Sequence, residues 1–303
     1  MIFLKLTAMF EQSIESVANY TRPINSIIRT YGGKQIIPGS ATLFFVNDEG
    51  YAVTCKHVMD LLASSEKINN NYAAFKKERD NLPKDGKYKM GLKGLELKYK
   101  YTEDSIIQIK NTFVDCVDSM SGYTCHIHPT HDLAIIKFND FNKLHYSSHA
   151  TFLKDATKIR QGNFLCRLGF PFPEFTNFIF NEAADDIEWT TTGIQVSPRF
   201  PIEGMVTRFL ADAGKITGIE MSTPGLRGQS GGPLFNNEGS VYGMQFSTKH
   251  LHLGFDLVDK EILIDNKIKK VSDYSFIHLG QCIHVDIIKA FLAEHKILFF
   301  EQY

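Results

Sequence analysis

Phe10, Ile14 and Val17 stand at near-helical spacing in residues 10–20, so a short amphipathic helix is predicted there, stopped by Pro23. From Ile24 onward the apolar residues gather into short β-type runs. NSIIRTY, SATLFFVN and YAVTCKHV come first, separated by turns at Gly32-Gly33, Pro38-Gly39 and Asn47-Asp48-Glu49-Gly50. Residues 59–80 then read as helical, and 81–100 as turn-rich and lysine-rich. Strand runs resume at SIIQIKNTFVDCV, YTCHIH and DLAIIKF. A second set begins near 160 with FLCRLGF and continues through EWTTTGIQVS, MVTRFLA, KITGIEMS, PLFN, VYGMQFS and HLHLGFDLV. The end changes period again, with Val285, Ile288 and Leu292 on one helical face. Two sets of short strands predict an all-β protein of two β-barrels or sandwiches, with a C-terminal α-helix packed on one of them. The division falls at 1–150, holding a lead-in helix and the first barrel, and 151–303, holding the second barrel and the final helix.

Composition narrows the classes. The chain has 303 residues, 43% of them hydrophobic and 22% charged, with a formal net charge of −1. That length suits two domains or two halves of one fold, and the balance excludes a disordered chain, a coiled coil and a collagen-like chain. The near-zero charge gives no general attraction to nucleic acid or an anionic membrane. No run of 18 apolar residues occurs, so no membrane-spanning helix is expected. The opening MIFLKLTAMF carries Lys5 inside a short apolar run and reads as a buried lead-in rather than a signal peptide. The cysteines Cys55, Cys116, Cys125, Cys166 and Cys282 are odd in number and form no dense framework. Free thiols in a reducing, cytoplasmic compartment are expected.

Three segments carry candidate chemistry, in the order His, Asp, Ser. They are Thr54-Cys55-Lys56-His57-Val58, His131-Asp132-Leu133-Ala134-Ile135-Ile136-Lys137 and Gly228-Gln229-Ser230-Gly231-Gly232-Pro233-Leu234. A serine hydroxyl is a weak nucleophile and needs a base within hydrogen-bond reach. His57 can take the Ser230 proton and return it to a leaving amine. Asp132 can fix the imidazole tautomer and stabilise the imidazolium. The glycines around Ser230 allow a tight turn in which the amides of Gly228 and Ser230 point at one place, an oxyanion hole.

These segments resemble the trypsin-like serine proteases of the chymotrypsin fold, most closely the bacterial HtrA/Deg-like branch, here without a PDZ domain. The family pattern Thr-Ala-x-His is similar to TCKH here, its Asp-Leu-Ala-hydrophobic-hydrophobic-Lys to DLAIIK, and its Gly-x-Ser-Gly-Gly-Pro-Leu to GQSGGPL. GSATLFFVNDEGYAVT looks like its opening strands, and CIHVDIIKAFL like its last strand and helix. The resemblance covers roughly 38–150 and 160–295, and is poor in 59–110 and about 250–276, which look like insertions. It implies two antiparallel β-barrels and peptide-bond hydrolysis through an acyl-enzyme. His57, Asp132 and Ser230 would be catalytic, Gly228 and Ser230 the oxyanion donors, and a protein or peptide the substrate, with neither metal nor organic cofactor.

Departures from the pattern also inform. Gln229 stands where digestive members carry an Asp that pairs with a newly cut N-terminus, so that mode of activation is not expected. Pro224, six residues before the serine, offers no acid for a Lys or Arg side chain. Gln245, Phe246 and Ser247 should line the S1 pocket, and a modest apolar or uncharged P1 residue is expected. Against zinc at Cys125-His126-Ile127-His128-Pro129-Thr130-His131 stands the strand geometry, which sends alternate residues to opposite faces. His250 and His252 could touch substrate. Residues 67–100 hold ten Lys/Arg against four Asp/Glu without regular aromatic interleaving. They read as a solvated loop between base and acid that could gate the site or dock a regulatory partner. A latent protease that binds peptides as a scaffold is the alternative to a dedicated intracellular endopeptidase.

Overall fold

The computed structural model describes residues 10–303. The expected lead-in at 1–9 lies outside the described residues. Helix α1 (Glu11–Ala18) buries Val17, while Phe10 at its start meets Phe235 edge to face at 6.3 Å. The first sheet is built from β1 (Thr21–Thr30), β2 (Ile36–Phe45), β3 (Tyr51–Thr54), β4 (Ile106–Phe113), β5 (Gly122–Ile127) and β6 (Ala134–Asn139). Its order is β4-β1-β2-β3-β6-β5 and every pair is antiparallel. Pro23 lies inside β1 near its start, where the N–H it lacks is least needed. The run Ala134–Ile136 in β6 is buried on both faces, which is why it is apolar without alternation.

The second sheet comprises β7 (Thr151–Leu153), β8 (Phe164–Gly169), β9 (Phe200–Asp212), β10 (Lys215–Met221), β11 (Pro233–Phe235), β12 (Val241–His252), β13 (Phe276–His284) and β14 (Phe300–Gln302). Strand β11 pairs with both β8 and β12, so β11-β8-β9-β10-β13-β12 closes into a six-stranded antiparallel barrel. Short β7 adds to β12, and β14 to β7, both in parallel. The first sheet stays open between β4 and β5. The fold is thus mostly β, as expected, with α4 (Val285–Glu294) following β13 directly and burying Val285, Ile288, Phe291 and Leu292. A single hydrophobic core runs through both sheets, from Phe44 and Phe45 to Leu234, Phe235 and Leu292.

Two segments differ from expectation. Helix α2 (Lys56–Asp80) starts immediately after β3, so His57 lies in a helical first turn rather than at a strand end. Residues 88–99, expected as turns, form α3 (Tyr88–Tyr99). Tertiary packing overrides the poor propensity of Gly91 and Gly94, because Leu92, Leu95 and Tyr99 close over a cluster of Tyr72, Phe75 and Ile107. Asp185, from the ribbon Phe178–Asn181/Asp186–Trp189, ties α2 down. Its carboxylate takes Arg29 at 2.8 Å, Arg79 at 2.9 Å and the Tyr72 hydroxyl at 2.8 Å.

The two sheets meet at Thr42 of β2, which is fully buried. Its N–H donates to the Ser230 carbonyl at 2.9 Å. Its hydroxyl donates to the Gly228 carbonyl at 2.7 Å and accepts the Phe170 N–H at 3.3 Å, while its carbonyl accepts the Thr54 hydroxyl at 2.8 Å. Thr42→Val keeps the shape but strips Gly228 O and Phe170 N of that partner. A loss of about 1–3 kcal/mol is expected, read as a lower urea midpoint with an unchanged slope.

Candidate active site

His57 is placed by a strand-to-helix transition. Thr54 ends β3, Cys55 takes the extended conformation before α2, and the chain turns helical at Lys56. Asp132 lies just before β6, beside that first turn. It accepts the His57 N–H through Oδ1 at 2.9 Å and faces the ring Nδ1 through Oδ2 at 2.6 Å. One carboxylate therefore fixes both the backbone and the ring of one histidine. With Nδ1 engaged as donor, Nε2 is left as the basic nitrogen. Burial works to raise the Asp132 pKa, but the hydrogen bonds from the His57 ring and from the His57 and Lys56 amides outweigh it. They hold the carboxyl below the usual carboxylate range.

Ser230 occupies a turn held by its own glycines. Gly228 has φ +92° and Gly231 φ +88°, both in the left-handed region. A Cβ on Gly228 would sit 2.5 Å from the Phe170 carbonyl, and one on Gly231 would collide with the Thr42 carbonyl. Gly231 N–H to Gln245 O and Gln245 N–H to Gly232 O, each 2.9 Å, bind this turn to β12. Among the described residues, the N–H groups of Gly228 and Ser230 have no acceptor. Both lie in the stretch expected to form an oxyanion hole. Gln229 is fully buried and neutral. Its Nε2 donates to Phe200 O at 3.2 Å and its Oε1 accepts Leu226 N–H at 3.1 Å, so it braces the loop from inside.

His57, Gly228 and Ser230 line one cavity of about 210 Å³ between the sheets, walled by Val58 and Leu61 of α2. No hydrogen bond joins the Ser230 hydroxyl to the imidazole among the described residues, and such bonds often tighten only when substrate is bound. Ser230 also opens on a second cavity, of about 520 Å³, that collects all four residues expected to read the substrate: Pro224, Gln245, Phe246 and Ser247. His250 lines it too, whereas His252 turns to Asp256 at 2.7 Å.

The chain matches the trypsin-like peptidase domain family over residues 41–244, more than half of its length and inclusive of all three motifs. The chain belongs to the trypsin-like peptidases. No curated protein sequence is matched. Its structure is similar to that of the Rv3671c protease from M. tuberculosis in its active form, at 11% identity and a TM-score of 0.45, over 93% of this chain and 82% of that one. Membership supports a serine protease hydrolase.

Other features of this trypsin-like peptidase were not signalled by the motifs. Thr42 is a single threonine in an apolar strand and carries no pattern. Arg167 interrupts the apolar run FLCRLGF and is fully buried, so a lone charge in a core strand was the available clue. Cys55 is buried and its thiol donates to Gln245 O at 3.4 Å, with burial pushing its pKa well up, as befits a core residue. Cys55, His57 and Asp132 each bring one ligand-type atom within 4.8 Å of the others. In the Cys125–His131 segment, His126 stacks on His295 and His128 Nδ1 accepts the His131 N–H at 3.0 Å, closing a turn.

The depressed Asp132 pKa has a stability consequence. Its contribution is present above the unfolded carboxylate pKa and is lost as pH falls through the lower folded value. The melting-temperature gap between wild type and Asp132→Asn should be constant above about pH 5 and shrink below about pH 4. Thermal denaturation across that range checks it.

Proposed function

We propose that the chain is a serine endopeptidase that hydrolyses peptide bonds through Ser230, His57 and Asp132. The observation that carries the reading is the doubly bonded His57–Asp132 pair beside a cavity shared with Ser230 and two acceptor-free amides. Ser230 Oγ attacks the scissile carbonyl as His57 Nε2 takes its proton. Asp132 keeps the reactive tautomer and stabilises the imidazolium. The Gly228 and Ser230 amides receive the oxyanion, each contributing on the order of 3 kcal/mol in such holes. His57 then protonates the leaving amine, and water resolves the acyl-enzyme by the same route. No step calls on a metal or organic cofactor.

The reading extends to a dedicated intracellular protease similar to the HtrA/Deg branch. Supporting it are the five unpaired thiols and the neutral, internally satisfied Gln229 where an activation acid would stand. No helix among the described residues is long and apolar enough to cross a membrane. Helix α2 both carries His57 and walls the cleft, which supports a regulatory partner acting through the 59–110 insertion. The absent Ser230–His57 hydrogen bond favours one alternative, a latent protease that binds peptides as a scaffold.

Labelling with a fluorophosphonate probe separates the two. Wild type should react and Ser230→Ala should not, whereas inert wild-type protein would leave the scaffold reading. Against a peptide pool, Ser230→Ala and His57→Ala should abolish turnover, and Asp132→Asn should lower kcat by about four orders of magnitude.

A further inference from the structure

The second cavity at Ser230 has an unusual electrostatic setting. No carboxylate lines it, and its wall and rim carry Arg227, His250 and His278. His250 and His278 are cross-strand partners on β12 and β13, with ring centroids 4.6 Å apart. Arg227 is exposed and makes no ion pair among the described residues. Behind the wall lies Arg167 of β8, fully buried. An arginine stays charged in a protein, and an unpaired buried charge is costly. Its guanidinium reaches only neutral acceptors: Gln245 Oε1 at 2.7 Å, Thr223 Oγ1 at 2.6 Å and Thr223 O at 3.1 Å. Its Nε has no partner among the described residues. The buried carboxylate of neighbouring β10, Glu220, is already bonded to Arg208 at 2.6 Å.

Gln245 transmits this charge. Its Oε1 faces Arg167, so its amide nitrogen is forced the other way, where a Cβ on the cavity-lining Gly225 would collide with it. That nitrogen spends one hydrogen on Ser247 O at 2.5 Å. The second hydrogen remains for a ligand acceptor. Gly280 is required behind it, since a Cβ there would strike the guanidinium. The cavity thus presents N–H donors, the Arg227 charge at its rim and the Arg167 charge behind its wall, and no carboxylate.

We infer that this cavity is a specificity pocket for an acidic P1 side chain, glutamate or aspartate, with Arg167 as a positioning residue that orients the Gln245 amide and supplies the counter-charge. This rests on the serine endopeptidase reading and makes the uncharged P1 residue expected from Pro224 a poorer fit. His250 and His278 face each other through Nδ1 at 2.5 Å, so the ring that accepts there carries its proton on Nε2. A glutamate carboxylate would accept from Gln245 at the wall and from that Nε2–H at the rim. A lysine or arginine would meet like charge.

The test uses Ser230→Ala protein, so that pocket preference is read without turnover. Four peptides identical but for a C-terminal Glu, Gln, Leu or Lys are titrated by calorimetry, their shared terminal carboxylate cancelling in the comparison. The Glu peptide should bind at least about tenfold tighter than its isostere Gln, about 1.4 kcal/mol, and the Lys peptide weakest. Equal affinities for Glu and Gln, tighter binding of Leu, or no binding of any of the four overturns the inference. Fluorophosphonate reactivity of wild type reports separately on the nucleophile. In Arg167→Met the Glu-to-Gln ratio should fall toward one, which a merely structural arginine would leave unchanged. If that variant does not fold, His250→Gln/His278→Gln on the exposed rim should lower the ratio at least threefold, and an unchanged ratio counts against the pocket.

Discussion

The site depends on one buried threonine that binds two sheets to each other. Thr42 gives its amide to the carbonyl of Ser230 and its hydroxyl to the carbonyl of Gly228, the two residues proposed as nucleophile and oxyanion donors. It also takes the Thr54 hydroxyl, two residues before the helix that carries His57 begins. The carbonyls of Gly228 and Ser230 are thereby turned toward β2, while the amides of the same two residues keep no acceptor among the described residues. Such buried polar groups cost free energy unless all are paired, so the arrangement resists partial rearrangement. A glycine at 231 is obligatory for the same reason, because the Thr42 carbonyl occupies the space a side chain would need.

Around that junction the fold divides the work. The open first sheet delivers His57 and Asp132 from adjoining strand ends, β3 and β6, which are antiparallel neighbours with Thr54 opposite Ala134. The closed second barrel delivers the turn before β11 and the wall of β12. The barrel's closure through β11 holds the Ser230 turn at both flanks, since β11 must pair with β8 and β12 at once. Helix α2 carries His57 in its first turn and runs on into the surface insertion. Its far half is held to β1 through Asp185, which binds Tyr72 and Arg79 of the helix and Arg29 of the strand.

Much of this was legible in the sequence, for identifiable reasons. Period-two runs with turn residues between them mark strands because burial alternates along a pleat, and DLAIIKF was recognisable by continuous apolarity. The three motifs were legible because few backbones tolerate GxSGGP, and the family match over 41–244 spans them. Less was legible where long-range packing decides. Nothing local distinguishes 88–99 from a loop, and its helix exists because Tyr31, Tyr72, Phe75, Tyr101 and Ile107, from outside it, form an apolar cluster that it covers. Thr42 has no motif, because its importance lies in groups nearly two hundred residues away. Arg167 was visible only as an oddity, a cation in an apolar strand whose purpose appears when Gln245 is placed beside it.

The Thr42 junction is proposed to shape the nucleophile and the oxyanion hole from Ser230 and Gly228. A crystal structure of the protein after reaction with a small fluorophosphonate tests it most directly. Phosphorus is expected bonded to Ser230 Oγ, with its oxygen between the Gly228 and Ser230 amides, His57 Nε2 turned toward the adduct, and the Thr42 hydrogen bonds intact. An adduct whose oxygen points away from those amides, or a turn that has flipped off Thr42 to react, would contradict it.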